Sequence, residues 1–317
     1  MRLKSSITEL IGETPLLELK HLFKNNKARI FAKLELFNPM SIKDRPVLNM
    51  IKEGIKEGKI TPNTEVVEAS SGNTAIAIAL LSGVLDYKVR IYISELASVE
   101  RRQILCAYGA KVIVTPGIEH TKGARSRAIG YCQEHPDSTF FLNQHGNPNN
   151  GKGHEKTTGP ELWKQLEGNI DAIVIGLGTS GTFDGVSRYM KEKNPSIKII
   201  AFEPLSSPVY SGGKQGKHKL IGIGPGFITD NFKRSQHNLD ELILVGNEQA
   251  FEWVRKIALT EGLLVGPTSG AAACVCNQIS KRPEYEGKNI VCFFYDSGER
   301  YLTVPGLFPV EGVEYSD

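Results

Sequence analysis

Short β-branched runs alternate with longer amphipathic stretches along the sequence, and this alternation constrains the fold more than any other feature. The first pair is the run 28–35 and the stretch 47–59, whose apolar residues recur at helical spacing. Strands that alternate with helices of this length form βαβ units, so the chain is predicted to be an α/β protein with mainly parallel sheets. Further strands are predicted at 64–70, 88–94, 111–115, 139–143, 171–176, 198–203, 242–246 and 289–295, and further helices at 74–85, 99–109, 121–134, 182–193 and 249–262.

The length of the chain and two irregular stretches indicate its domain organisation. The sequence has 317 residues, which at about 150 residues per domain predicts two domains. The stretch 145–160 is polar and rich in Gly, Pro and Asn, and it is predicted to be an irregular crossing between the domains. The stretch 206–227 is longer than an ordinary connector, and loops of that length often carry function.

The charge and hydropathy patterns exclude several classes of protein. The 38 Lys and Arg residues nearly balance the 35 Asp and Glu residues, which leaves a formal net charge of +3. This balance gives no reason to expect a nucleic-acid or membrane-surface partner. No apolar run reaches the roughly 18–20 residues that span a bilayer, and the first residues contain no apolar signal-peptide core. The protein is therefore predicted to be cytoplasmic.

The cysteines do not indicate a metal site or a disulfide framework. They form an odd set of five, of which Cys274 and Cys276 make a C-x-C in an Ala-rich helical run. No histidine or second cysteine pair lies at zinc-ligand spacing. We therefore expect buried thiols in this helix and no bound metal.

The segment 176–182 follows a predicted strand and opens a predicted helix. Such a glycine-rich turn leaves backbone N–H groups free to face an anion, and the helix dipole adds to the attraction, so this segment is predicted to bind phosphate. Gly176, Gly178 and Gly181 also match G-x-G-x-x-G. Glu203 lies where that fingerprint places an acid for a ribose hydroxyl. An NAD-dependent oxidoreductase is an alternative at this point, and a tight turn with glycines for packing is a third interpretation.

Four other segments have polar residues at the start of a helix or after a strand. The 70–74 turn has hydroxyls and free amides that suit a carboxylate, although N-capping explains them equally well. Lys43 precedes a helix; most lysines are surface charges, but one beside a phosphate loop could form a Schiff base with a cofactor aldehyde. The 266–272 turn opens another helix, and Asp296 in the last segment has the position of a simple cap. In open α/β sheets such turns converge at the carboxyl ends of the strands, which predicts one polar cleft.

A family resemblance rests on six motifs whose order and spacing are specific. The chain resembles the cysteine synthase (O-acetylserine sulfhydrylase) and cystathionine β-synthase family on the segments SIKDRP, SSGNT, GLGTSGT, SPVYSGGKQGKHKLIGIGPGF, GPTSGAA and DSGERYL, within residues 5–303. The resemblance implies two open, mainly parallel-sheet αβα domains (tryptophan synthase β-like, fold type II) with pyridoxal 5′-phosphate in the cleft between them. It implies a larger cofactor-phosphate-binding domain at 1–34 and 145–317, and a smaller mobile domain at 35–144 that carries the substrate-carboxylate loop.

The resemblance also implies a role for each site residue. Lys43 matches the Schiff-base lysine, which also acts as the general base. Asn73 matches the asparagine that bonds the 3′-oxygen of the cofactor, and Thr268 matches the hydroxyl residue that faces the pyridine nitrogen. The phosphate loop corresponds to Gly178, Thr179, Ser180, Gly181 and Thr182, the groups that hold the substrate carboxylate correspond to Ser70, Ser71, Thr74 and Gln144, and Gly222 corresponds to a glycine beside the substrate.

The implied reaction is a β-replacement on an activated serine. O-acetylserine and sulfide give L-cysteine and acetate through an aminoacrylate intermediate. A cysteine β-lyase (desulfhydrase) that releases hydrogen sulfide is an alternative, as is a synthase that uses O-phosphoserine or an amine nucleophile. Besides the small amino-acid substrate, the implied partners are a second copy of the chain in a homodimer and the tail of a serine acetyltransferase.

The sequence departs from the family pattern around the expected substrate side chain. The 38–43 loop is one residue shorter, and a methionine expected at the mouth of the site is replaced by Ala97. Asp230 adds a carboxylate just after the GIGPGF segment, and we expect it to contact the substrate. A carboxylate near the cleft would repel anionic nucleophiles. We therefore expect a reduced preference for sulfide and measurable β-elimination from L-cysteine.

Overall fold

The computed structural model describes residues 3–308, with the side chains of all but His120 and Thr121. The strands in this range are β1 (Leu16–Glu18), β2 (Arg29–Leu34), β3 (Glu65–Ala69), β4 (Lys88–Ser94), β5 (Lys111–Thr115), β6 (Thr139–Phe141), β7 (Ala172–Gly176), β8 (Lys198–Pro204), β9 (Glu241–Val245) and β10 (Asn289–Phe294). The helices are α1 (Asp44–Lys56), α2 (Asn73–Leu85), α3 (Val99–Ala107), α4 (His120–Glu134), α5 (Pro148–Lys156), α6 (Thr158–Gln165), α7 (Gly181–Lys193), α8 (Asp230–Ser235), α9 (Asn247–Glu261) and α10 (Pro267–Ile279). None of these helices has the length and apolar character that crossing a membrane requires.

The strands form two sheets. The larger sheet has six strands in the order β1-β2-β10-β7-β8-β9, and all its neighbours are parallel except β1, which is antiparallel to β2. The smaller sheet has four parallel strands in the order β5-β4-β3-β6. The prediction of an α/β protein with mainly parallel sheets is confirmed. The short strand β1 has no counterpart in the sequence-based prediction.

The two sheets draw on different parts of the chain. All strands of the smaller sheet lie between residues 65 and 141, whereas the larger sheet combines β1 and β2 with the strands that follow residue 171. Separate apolar cores accompany the two sheets. The boundaries at 34 and 144, and the mobility of the smaller domain, stay predictions.

The central strand β7 illustrates why the site lies where it does. All five of its residues are buried, which is typical of a parallel strand covered on both faces by helices. Helices α7 and α10 contact this strand. A helix that connects parallel strands runs antiparallel to them, so its N-terminus lies at their carboxyl ends. The starts of these helices therefore face the same edge of the sheet.

Residues 145–160, predicted to be an irregular crossing, are largely helical. Helix α5 begins after Asn147, whose side chain accepts a hydrogen bond from the amide of Asn149 (3.0 Å). Pro148 occupies the first helical position, where its missing N–H is not needed. Helix α6 follows α5 almost without interruption. The prediction of an irregular loop was wrong.

The glycines of α5 explain the error. A Cβ atom on Gly153 would lie 3.2 Å from the Cα atom of Pro46 in α1, and one on Gly151 would overlap the carboxylate of Asp184 in α7. Glycine at these positions allows three helices to approach closely, rather than providing a turn. Because tertiary contacts override local propensity, the composition of this stretch gave a misleading signal.

A buried ion network holds the start of α1. The guanidinium of Arg45 donates to both carboxylate oxygens of Glu35 (2.7 and 2.9 Å) and to both of Glu161 (2.6 and 2.7 Å). Arg45 is 3% exposed and Glu35 is fully buried. The network joins the segment after β2 to α1 and α6. It therefore determines where the residue before α1, Lys43, is held.

Lys33 extends this network from β2. Its Nζ atom donates to Glu161 Oε2 (2.7 Å) and to the carbonyl of Thr14 (2.7 Å). Burial by itself raises the pKa of Glu161, but hydrogen bonds from Arg45 and Lys33 outweigh it and lower the pKa to about 2. Glu161 is therefore ionised at neutral pH and compensates two buried cations.

We predict that Arg45→Met destabilises the fold by about 3–5 kcal/mol, because it removes the cation that pairs with the buried side chain of Glu35. The matched control is Lys256→Met, which removes an exposed i,i+4 pair with Glu252 and is expected to change stability by less than about 1 kcal/mol. Urea unfolding of both variants measures the difference. Equal free energies of unfolding in the two variants would contradict a stabilising role for the network.

Candidate active site

A cavity of about 190 Å³ lies at the carboxyl ends of strands from both sheets. Its wall includes residues that end or follow β3, β7 and β10, together with the starts of α2, α7 and α10. The predicted site residues in its lining are Lys43, Ser70, Ser71, Asn73, Thr74, Gln144, Gly178, Thr179, Ser180, Thr182, Gly222 and Thr268. The lining also includes Arg101, His145, Tyr295, Asp296 and Tyr301, for which no role was predicted.

Lys43 lies in a tight turn just before α1. The carboxylate of Asp44 accepts the amides of Met40 (2.7 Å) and Ser41 (3.2 Å), and Ser41 Oγ accepts the amide of Lys43 (3.1 Å). The Lys43 amine makes no hydrogen bond to any of the described residues. Burial lowers its pKa, although the carboxylate of Asp296 opposes the shift. A buried amine with a lowered pKa is unprotonated more of the time than a surface lysine, so its lone pair is available to attack an aldehyde or accept a proton.

The 70–74 loop joins β3 to α2 and exposes donors to the cavity. The helix begins after Gly72, so its N-cap residue has no side chain and cannot cap the helix itself. Ser70 Oγ accepts the amide of Gly72 (3.2 Å), and Thr74 Oγ1 donates to Gln144 Oε1 (2.6 Å). Plain N-capping therefore does not explain this loop, whose amides at a helix start suit an anion.

The 176–182 loop lines the same cavity. Ser180 has a left-handed backbone (φ 60°) immediately before α7. Among the described residues, no group accepts a hydrogen bond from the amides of Gly178, Thr179 or Ser180. A Cβ atom on Gly178 would overlap the carbonyl oxygen of Gly222. The loop is therefore a close-packed set of free amides at the N-terminus of a helix, which favours a phosphate dianion.

Thr268 and Gly222 meet at the third side of the cavity. Thr268 Oγ1 donates to the carbonyl of Ile221 (3.0 Å). The following residue, Gly222, has φ +111°, which L-amino acids other than glycine rarely adopt. The long 206–227 segment thus contributes backbone, rather than side-chain, groups to this part of the cavity.

The sequence analysis missed the role of Asp296. Interpreted there as a helix cap, it is 3% exposed and its Oδ2 atom accepts from Asn73 Nδ2 (2.6 Å) and Tyr301 Oη (2.5 Å). Burial raises the pKa of Asp296, and the hydrogen bonds from Tyr301 and Asn73 oppose the shift. The carboxylate therefore sets the orientation of the Asn73 amide. Asp296 lies just after β10, and the ends of other strands in this chain carry site residues. This position was the signal that could have revealed its role.

Two of the predicted site residues lie outside the described lining. Gly181 packs against Asn150, whose side chain occupies the space that a Cβ atom would need. Asp230 begins α8, its side chain is 65% exposed, and it pairs with Lys233 (3.0 Å). In this structure the side chain at the first helical position turns towards solvent, and its contact with substrate stays a prediction.

The neighbouring residue, Asn231, is fully buried and lies outside the lining. Its Nδ2 atom donates to the carbonyls of Gln144 and Thr179 (both 2.9 Å) and so holds two lining residues together. Ala97 also lies away from the described lining and packs against the core of the smaller sheet.

The alternative of a dinucleotide site is not supported by the position of Glu203. This carboxylate is fully buried and accepts hydrogen bonds from the amides of Tyr210 (2.8 Å) and Ser211 (2.7 Å) and from the Ser211 hydroxyl (2.6 Å). It therefore anchors the 206–227 segment and has no free oxygen facing a ribose.

Comparisons with known proteins agree with this geometry. The sequence profile of the family described as "Pyridoxal-phosphate dependent enzyme" matches residues 7–296. A cysteine synthase from Staphylococcus aureus is 44% identical over 302 residues, which cover 95% of this chain and 96% of that protein.

Two solved structures have closely similar folds. The cysteine synthase of Entamoeba histolytica is 38% identical, with a TM-score of 0.94 over 99% of this chain and 93% of that one. A hydrogen sulfide-producing enzyme of Fusobacterium nucleatum is 37% identical, with a TM-score of 0.88 over 95% of this chain and 100% of that one. The chain therefore belongs to the pyridoxal-phosphate-dependent enzymes, in the fold-type II group that includes the cysteine synthases.

Proposed function

We propose that this protein is an O-acetylserine sulfhydrylase, which replaces the acetoxy group of O-acetylserine with sulfide and releases L-cysteine and acetate. The observation that carries the proposal is the Lys43 amine, which is buried, makes no hydrogen bond to the described residues, and lines the same cavity as two loops that both suit anions. One loop suits a substrate carboxylate and the other suits a cofactor phosphate. The similarity to cysteine synthases supports the same conclusion.

The residues present fit pyridoxal phosphate. The free amides of 178–180, together with the hydroxyls of Thr179 and Thr182, would hold its phosphate at the start of α7. Lys43 would bind its aldehyde, and the Asn73 amide, oriented by Asp296, would donate to its ring oxygen. When bound, the cofactor supplies an electron sink that makes the Cα proton of an amino acid acidic and allows a β-substituent to leave.

Thr268 would place a neutral hydroxyl beside the ring nitrogen of the cofactor, where other sites for this cofactor place a carboxylate. A neutral partner does not hold a ring nitrogen in its protonated form as a carboxylate does. A weaker sink favours expulsion of the β-substituent over accumulation of a carbanion. This choice of residue therefore suits elimination and replacement at the β-carbon.

The 70–74 loop orients the substrate for proton removal. Ser70, Ser71 and Thr74, with Gln144, would bind the substrate carboxylate at the start of α2. Holding the carboxylate there brings the Cα–H bond towards Lys43, which takes the proton as general base. Acetate then leaves the β-carbon with the Cβ–O electron pair, sulfide adds in its place, and Lys43 returns the proton to Cα.

The quaternary partners and cellular location follow from the same proposal. We propose a cytoplasmic homodimer whose cleft also accepts the tail of a serine acetyltransferase, in line with the family resemblance. The carboxylate-binding loop is suited to a peptide C-terminus for the same reason that it is suited to a substrate carboxylate.

A cysteine β-lyase is the second candidate, because a solved hydrogen sulfide-producing enzyme is 37% identical to this chain. That reaction uses the same proton removal at Lys43, but sulfide is the group that leaves the β-carbon. Water then completes the reaction, and no new nucleophile is added at the β-carbon. The exposed, paired position of Asp230 favours the synthase, since it places no additional carboxylate beside the substrate.

The first prediction tests Lys43. Lys43→Ala is expected to reduce cysteine formation by at least about 10²–10⁴-fold, because the general base is removed. Borohydride treatment followed by mass spectrometry is expected to link the cofactor to residue 43 in the wild type and to no residue in the variant. Lys59→Ala, which removes an exposed amine, is the control. If borohydride treatment still links the cofactor to the protein in Lys43→Ala, the covalent role belongs to another lysine.

The second prediction tests the 176–182 loop. Thr179→Ala and Thr182→Ala are each expected to weaken cofactor binding about 10- to 150-fold, because each removes a hydroxyl donor to a dianion. Thr260→Ala, on the far helix α9, serves as the control. Equilibrium dialysis of the cofactor provides the measurement. Unchanged binding in both loop variants would refute phosphate binding at this position.

The third prediction separates the synthase from the lyase. The ratio of sulfide released from L-cysteine to cysteine formed from O-acetylserine is expected to be well below one and to be the same in wild type and Asp230→Asn. An exposed charge paired with Lys233 has little influence on the cavity, because water and salt screen it. A ratio above one that falls in Asp230→Asn would favour the lyase and would assign this carboxylate a direct role.

A further inference from the structure

His145 contributes a polar side chain to the cavity that the proposed function does not use. It directly follows Gln144, whose carbonyl and side chain are held by Asn231 and Thr74. Its ring packs against Phe227, with centroids 5.1 Å apart and planes inclined at 59°. The imidazole therefore lies between the carboxylate-binding groups and the 221–227 segment.

Neither ring nitrogen of His145 has a hydrogen-bond partner among the described residues. Its Nδ1 atom is buried and unpaired. A second histidine near the site, the buried His154, is different, since its nitrogens lie 2.9 Å from Thr158 Oγ1 and 3.2 Å from Thr182 Oγ1. A buried polar atom without a partner destabilises the free protein, which is typical of a group whose partner is a ligand.

The environment of His145 keeps the imidazole neutral. Burial, together with the positive charges of Arg125 and Lys43, lowers its pKa to about 4. At neutral pH the ring therefore carries one N–H donor and one acceptor nitrogen. It is a weak base and is not a cation, so its use is as a directional hydrogen-bond donor.

The substrate position under the proposed function leaves one substituent without a partner. The carboxylate lies at the 70–74 loop and Gln144, the Cα–H bond faces Lys43, and the amine bonds to the cofactor. The β-substituent is the remaining group, and the wall formed by His145 and the 221–227 segment adjoins the carboxylate site. An acyl ester carries a carbonyl oxygen that can accept a hydrogen bond, and its ester oxygen gains negative charge as the bond to Cβ breaks.

We infer that His145 is a specificity-determining residue that donates an N–H hydrogen bond to the acyl ester group of the substrate and selects carboxylate leaving groups. This inference rests on the proposed function. Lys43 takes the Cα proton, the C–H electron pair forms the Cα–Cβ double bond, and the Cβ–O electron pair leaves with the carboxylate. The imidazole proton stays on His145 and stabilises the charge that develops on the leaving oxygens.

The test compares two leaving groups in the holoenzyme. His145→Phe keeps a ring against Phe227 but removes both nitrogens. With sulfide as nucleophile, kcat/KM for O-acetylserine is expected to fall about 10- to 100-fold, whereas kcat/KM for β-chloroalanine, whose chloride has no carbonyl, is expected to change far less. His145→Gln, which restores an N–H donor, is expected to recover part of the loss with O-acetylserine.

Thermal unfolding is an independent readout. Because His145→Phe replaces an unpaired buried nitrogen with carbon, the variant is expected to unfold at the same temperature as the wild type or at a higher one. An equal loss of activity with both substrates, no loss with O-acetylserine, or a lower unfolding temperature would overturn the inference. A wild type that forms no cysteine from either substrate would instead overturn the proposed function, and the inference with it.

Discussion

The position of the Lys43 amine depends on the buried guanidinium of Arg45, two residues along the same turn. Its paired hydrogen bonds to Glu35 and Glu161 hold the start of α1 against the end of β2 and against α6. A planar group with two carboxylate partners has few alternative geometries, so the backbone before α1 is closely constrained. An amine displaced by about an ångström from its substrate loses much of the rate gained from correct positioning. This explains why a network that costs free energy to bury adjoins the cavity.

The cavity itself is built from helix starts rather than from many charged side chains. Helices α2 and α7 begin at Asn73 and Gly181, and the amides just before them have no intrahelical acceptors. Two sets of amides make the cavity favourable for two anions at once. The lysine amine and the buried carboxylate of Asp296 line the same cavity, and their opposite charges limit the cost of burying either one.

The two histidines near the cavity, His145 and His154, differ in whether their ring nitrogens have partners within the protein. His154 has hydroxyl partners at both nitrogens and forms part of the packing behind the 176–182 loop. His145 has no such partners and lies at the wall of the cavity. Sites that bind ligands keep polar groups unpaired in the free protein, at some cost in stability, and this contrast distinguishes the two residues more clearly than their sequence context does.

The sequence by itself determined the alternation of strands and helices, the parallel sheets and the polar helix starts, because side-chain periodicity and helix-start chemistry are local properties. The individual site residues came from the motifs shared with a known family. Tertiary structure decided what depends on close approach. The glycines of α5 allow helices to pack, although the same composition indicated a loop. Asp296 became an orienting group because Asn73, 223 residues away, lies beside it. Asp230 turned outwards while Asn231 became buried, since one residue along a helix turns the side-chain direction by about 100°.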